Sequence, residues 1–144
     1  MQNIQRQRGF TLIEIMVVVV ILGVLAALVV PQIMSRPDQA KATAAQSDIK
    51  AIAMVLDIYK LDNHNYPTGQ QGLQALVSKP DGYPPARSWN PDGYLKRLPM
   101  DPWGNPYQYL MPGSYNDSYD LFSFGADGQS GGEGLNADIG NWER

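Results

Sequence analysis

Apolar residues dominate positions 10–30, FTLIEIMVVVVILGVLAALVV, where Glu14 is the only charge in 21 residues. A helix rising about 1.5 Å per residue spans roughly 31 Å over that length, enough for a bilayer's hydrocarbon layer. The pattern predicts one membrane span. Pro31 follows at once and Pro37 lies six residues on. A proline either ends the span or leaves a kink in a helix that continues. Continuation is the preferred reading, because the next stretch is helical too. Across residues 38–61, Ala45, Ile49, Ile52, Leu56 and Tyr59 step by 4, 3, 4 and 3, an apolar stripe on one helix face. Asp38 is placed to cap this part locally, and Lys41, Asp48 and Lys50 are expected to stay wet. The two parts together read as one long helix, half in lipid and half packed on a globular head.

Beyond residue 61 the helical period is lost. Residues 62–68, DNHNYPT, are a breaker cluster that ends the helix, with His64 as a turn residue. Residues 70–77 carry Leu73, Leu76 and Val77 and read as one or two helical turns. Residues 80–106 are rich in Pro, Gly, Trp and Asn and form a long irregular connection, with Trp89 and Trp103 read as core plugs rather than a ligand platform. Residues 107–111 and 119–124 are β-prone runs separated by PGSYNDS, a hairpin signal. The fold class is therefore α+β: a long N-terminal helix packed on a small antiparallel sheet.

Composition narrows the function. At 144 residues the chain holds a span plus at most one small domain, and its net charge of −3 gives no basic face for nucleic acid. There are no cysteines, so a small exported domain must find another staple. His64 is the only histidine, with no local nucleophile or orienting group for a triad. A membrane-anchored periplasmic enzyme is therefore a weak rival, and no loop of the Walker type appears. Asp57 lies beside the stripe, either as a solvated edge or as a contact for a neighbour. Lys96 and Arg97 are the only adjacent basic pair after residue 9 and read as solvated, with contact to an acidic neighbour face as the alternative.

Two places carry candidate chemistry. Glu14 near bilayer depth costs at least a few kcal/mol unless it is paired, so it either snorkels to the headgroups or has a function. The Gly-rich stretch 125–142 gathers Asp127, Glu133, Asn136 and Asp138. Hard cations such as Ca²⁺ take six to eight oxygen ligands, and glycines let a loop turn its carbonyls inward. Asp127-Gly128-Gln129 lacks the alternating acids of an EF-hand, so a solvated acidic loop stands beside the metal reading.

At the N-terminus Arg6 and Arg8 lead directly into Gly9, and the apolar run begins only afterwards. A secretory signal places its cleavage site on the far side of the apolar core. The order here, with GFTLIEIM at 9–16, resembles a prepilin-type (type III) signal. The resemblance implies that a prepilin peptidase cuts between Gly9 and Phe10, removes residues 1–9 and methylates the new terminus at Phe10. It also implies that Glu14 neutralises that amino terminus, its own or a neighbour's. Loss of Arg6 and Arg8 would take the net charge to about −5. Those leader arginines stay cytoplasmic, so the rest is translocated.

The signal, then YKLDNHNYPT, QGLQAL, DPWGNPYQY and GADG…ADIGNW in that order, resemble the major pseudopilins of type II secretion, the general secretion pathway protein G family. Nearly the whole chain is covered. The resemblance implies a single-pass inner-membrane protein, with 10–33 as membrane and assembly helix and 34–144 as periplasmic head. Copies would assemble as a homo-oligomeric helical filament that drives folded proteins through the outer membrane. Minor pseudopilins and the inner-membrane secretion platform are the implied partners. Ca²⁺ is the implied cofactor, held by Asp127 and Asp138 with Asn136, Glu133 and backbone carbonyls such as that of Phe124. A type IV pilin for adhesion or motility shares the signal and helix but usually closes a C-terminal loop with a cysteine pair.

Overall fold

The computed structural model describes residues 9–34 and 36–142, with side chains for 9–27 and 37–142. The leader expected at 1–9 lies outside the described residues apart from Gly9. Two compact units, Met1–Pro37 and Asp38–Arg144, are described separately.

In the first unit α1 spans Leu12–Met34, 23 residues. It opens with a capping box: the Thr11 N–H and hydroxyl both donate to Glu14 Oε2 at 3.0 Å, and the Glu14 N–H donates to Thr11 Oγ1 at 3.3 Å. These bonds satisfy donors that the first helical turn would otherwise leave orphaned. Backbone helix continues three residues past Pro31, in agreement with the preferred reading of that proline. Every side chain described along α1 is exposed. Among the described residues no helix is long and apolar enough to cross a membrane. The fully described part, residues 12–27, falls short of the ~20 apolar residues a span needs, and the expected span ends beyond it.

In the second unit α2 spans Arg36–Asn63. The expected single long helix depends on Ser35, which lies outside the described residues. Ala45, Ile49, Ile52, Leu56 and Tyr59 are all buried, as their spacing predicts, and the last four join Leu73, Leu76, Tyr107, Tyr119 and Leu121 in one core. His64 adopts φ 68° just past the helix and donates its N–H to the Lys60 carbonyl at 2.7 Å. The turn expected at 70–77 is a short 3₁₀ helix, Leu73–Leu76. Residues 80–106 are irregular as expected. Trp89 packs beside the core and donates Nε1–H to the Ala75 carbonyl at 2.8 Å; Trp103 is only half-buried.

Strands β1 (Gln108–Leu110) and β2 (Asp120–Ser123) pair antiparallel, Tyr109 opposite Leu121. The expected hairpin is present, but a third strand was not foreseen. Residues Ile139–Gly140 form β3, antiparallel to β2, giving the order β1-β2-β3. Asp48, expected to be wet, is half-buried because it accepts the Tyr107 hydroxyl at 2.9 Å, tying α2 to the start of β1.

Candidate functional site

The N-terminal candidates sit together at the start of α1. Gly9 and Phe10 are exposed. The Glu14 carboxylate is turned back onto Thr11, one residue from Phe10. An acid in this position meets the positive end of its own helix dipole.

The C-terminal candidates occupy the connection between β2 and β3. Asp127 is exposed and its Oδ1 accepts the Gln129 N–H at 3.1 Å. Asp138 Oδ2 accepts the Gly131 N–H at 3.0 Å across the loop. Glu133 is exposed and precedes the 3₁₀ turn Gly134–Asn136, its carbonyl accepting the Asn136 N–H at 3.2 Å. Phe124 is half-buried with its ring edge-on to Phe122 at 5.3 Å. The loop closes where Ala126 N–H donates to the Leu135 carbonyl at 3.1 Å. At Gly125, φ 72°, an added Cβ would lie 2.8 Å from the Ala137 carbonyl and 3.0 Å from that of Leu135, so carbonyl oxygens crowd the loop's inner side. Among the described residues no three or more Asp, Glu, His or Cys side chains gather as a metal group. The donor types the loop offers, carboxylate and carbonyl oxygens, are those that a hard divalent cation takes.

Two buried carboxylates escaped the sequence reading. Asp120 is fully buried (0 % exposed) in β2. Its oxygens accept the N–H groups of Ser114 (2.6 Å), Tyr115 (2.9 Å) and Asn116 (2.9 Å) and the Asn116 amide at 3.2 Å. Burial works to raise its pKa, but these donors outweigh burial and hold it below the usual carboxylate value. Asp101 is 4 % exposed; it accepts the N–H groups of Trp103 and Asn105 and the Ser123 hydroxyl at 2.6 Å, and Ser123 Oγ accepts the Gly125 N–H. This chain ties the 101–105 turn to β2 and to the entrance of the acidic loop. The available signal was an acid at the start of the β-prone run 119–124, and an Asp three residues before Gly104.

Asp57 accepts the Tyr66 hydroxyl at 2.8 Å, and Lys60 Nζ lies 4.5 Å from the centre of the same ring. Burial, then the bond to Asp57 and its charge, push Tyr66 up to about 12. Asp57 therefore has a partner within its own chain. Lys96 and Arg97 are exposed, as solvation predicts.

The profile described as type II secretion system (T2SS), protein G matches residues 32–142, and that of the prokaryotic N-terminal methylation motif matches residues 4–30. The chain is 69 % identical over 139 residues to the type II secretion system core protein G of Pseudomonas aeruginosa, covering 96 % of this chain and 97 % of that one. It is 56 % identical over 142 residues to the core protein G of Vibrio cholerae, covering 99 % and 96 %. Its structure matches a crystal structure of the major pseudopilin of enterohaemorrhagic Escherichia coli. There the TM-score is 0.69 and the identity 51 %, over 79 % of this chain and 96 % of that one. The chain belongs to the protein G family of the type II secretion system.

Proposed function

We propose that the protein is a structural subunit of the type II secretion pseudopilus: copies leave the inner membrane, assemble as a helical periplasmic filament and drive folded proteins across the outer membrane. The observation that carries this reading, alongside family membership, is α1, whose described side chains are all exposed although nearly all are apolar. Such a surface is stable in lipid or against other apolar helices, and not in water. The protein is not an enzyme, and no residue takes a catalytic role.

Residues 1–9 are the leader, cut between Gly9 and Phe10 by the prepilin peptidase, with Phe10 then methylated; the match to the methylation motif over 4–30 supports this. Residues 10–33 form the single-pass membrane and assembly segment, and 34–144 the periplasmic head. Before assembly, Glu14 is satisfied at the start of its own helix. In the filament it meets a neighbour's amino terminus, an ion pair formed away from water. Assembly involves minor pseudopilins and the inner-membrane platform. In the acidic loop Asp127 and Asp138 hold Ca²⁺, with Asn136, Glu133 and carbonyls such as that of Phe124 completing an oxygen set. The ion supplies stiffness to the head rather than chemistry.

Mass spectrometry of the mature protein should find methyl-phenylalanine at Phe10 as its first residue. The wild-type gene should restore secretion to a strain lacking it, and Glu14→Ala should insert in the membrane yet restore nothing. A mature chain beginning at Met1, or a secreting Glu14→Ala strain, defeats the reading.

A further inference from the structure

The turn at 101–105 meets the acidic loop on both sides of Asp127. On one side Asp101 Oδ2 accepts the Ser123 hydroxyl at 2.6 Å, and Ser123 Oγ accepts the Gly125 N–H at 3.1 Å. On the other side the contact is packing: a Cβ added at Gly128, φ 66°, would lie 3.3 Å from Asn105 Nδ2. Asp101 also holds the turn itself closed. Its Oδ1 accepts the N–H groups of Trp103 at 3.0 Å and Asn105 at 2.8 Å, and its own N–H donates to the Asn105 carbonyl at 2.8 Å. Both Asp101 and Ser123 are buried.

We infer that Asp101 and Ser123 are positioning residues of the cation site, fixing the Phe124–Gly125 peptide so that the Phe124 carbonyl is held as a ligand. They act through that ligand and are not ligands themselves. The inference rests on the calcium reading above.

The Phe124 carbonyl and the Gly125 N–H belong to one peptide group, which is planar and trans, so they point in opposite directions. A bond that fixes the N–H therefore fixes the carbonyl, turned away from Ser123 Oγ. Rotation of this peptide changes φ at Gly125, and a glycine permits either sign of φ. Without an acceptor for its N–H, nothing in the backbone itself would keep the carbonyl aimed. The acceptor is in turn aimed by Asp101. A hydroxyl has one proton, and a carboxylate only accepts, so the Ser123 proton goes to Asp101 and an Oγ lone pair is left for the Gly125 N–H. Partners of this kind, one bond removed from a metal, set the orientation of its ligands.

Full-length protein in detergent micelles, stripped of metal, is titrated with CaCl₂ by isothermal calorimetry. It is then loaded with TbCl₃, whose luminescence decay in H₂O and D₂O counts the waters on the ion. Ser123→Ala should bind Ca²⁺ roughly 10–100-fold more weakly than the wild type. It should also carry about one more water on Tb³⁺, in place of the lost carbonyl. Ser123→Thr keeps the hydroxyl and should restore both values, even where its extra methyl lowers the melting temperature. Asp120→Asn removes a buried acid of the same strand but outside this relay, and should leave both values near those of the wild type. Asp101→Asn keeps an oxygen for the turn but offers the Ser123 proton no acceptor, so it should weaken binding. The Asp101→Asn/Ser123→Ala double variant should then bind no more weakly than Ser123→Ala alone. Unchanged affinity and water count in Ser123→Ala, or equal losses in Asp120→Asn, overturn the inference and leave the calcium reading standing. A double variant weaker than Ser123→Ala shows Asp101 acting by its charge alone and overturns the relay. A wild type that binds neither ion defeats the calcium reading, and this inference falls with it.

Discussion

Asp120 stabilises the head through its charge although water does not reach it. A carboxylate taken out of water costs several kcal/mol unless its oxygens are bonded, and here the N–H groups of Ser114, Tyr115 and Asn116 bond them. Because these donors favour the ionised form, the folded pKa lies below the unfolded value of about 3.9. The stabilisation is therefore complete above that value and is lost as pH falls through the lower, folded one. Asp120→Asn keeps an oxygen acceptor but not the charge. It should destabilise the unit Asp38–Arg144 by about 1.5–3 kcal/mol at pH 7, the range for hydrogen bonds to charged groups. Its stability should also fall less steeply with acid than the wild type's below pH ~4. Urea midpoints of both proteins from pH 7 to pH 2.5 check this; parallel profiles would mean that another acid carries the acid sensitivity.

At the scale of elements, legibility follows from how local the cause is. The buried stripe of α2 was readable because a 4, 3, 4, 3 spacing depends only on helix geometry, and the β1–β2 hairpin because two β-prone runs flank a turn-rich segment. Strand β3 was not readable. Two residues, Ile139 and Gly140, carry no period, and β2 is what makes them a strand. Asp48 was misread as wet because its partner, Tyr107, lies 59 positions away. The candidate site was half legible: sequence marks Asp127 and Asp138 as acids among glycines, but not the Asp101–Ser123 bond that anchors their loop. Gly140 shows how tightly β3 is held. An added Cβ there would overlap the Trp142 ring, which stacks on Tyr115 with centroids 4.3 Å apart and tilts against Phe122 at 5.5 Å. Gly140→Ala should displace Trp142 and cost about 1–3 kcal/mol, the usual range for overpacking. A lowered melting temperature with changed near-ultraviolet circular dichroism is the expected result, and an unchanged spectrum would show that the ring yields without loss.

At the scale of the whole molecule, the described residues of the head have a core built on one helix and three strands of two to four residues, and the chain has no cysteine for a disulfide. A domain of this size buries a modest fraction of its surface, so ligation of a loop by metal would carry weight in its stability. The proposed Ca²⁺ would act there by mass action. An ion that binds only the folded form at a hundred times its dissociation constant adds about 2.7 kcal/mol. It would also offset the repulsion of Asp127, Glu133 and Asp138 within one short loop. Calorimetry of Asp38–Arg144 in excess CaCl₂ and in EGTA should give two melting temperatures, the EGTA value lower by several degrees. Asp127→Ala and Asp138→Ala should each melt at one temperature in both buffers, because each removes a ligand, whereas Asp117→Ala, an exposed acid outside the loop, should retain the wild-type difference. If the wild type melts alike with and without chelator, the acidic loop is a solvated connection and the head is stapled by the Asp101 and Asp120 networks alone.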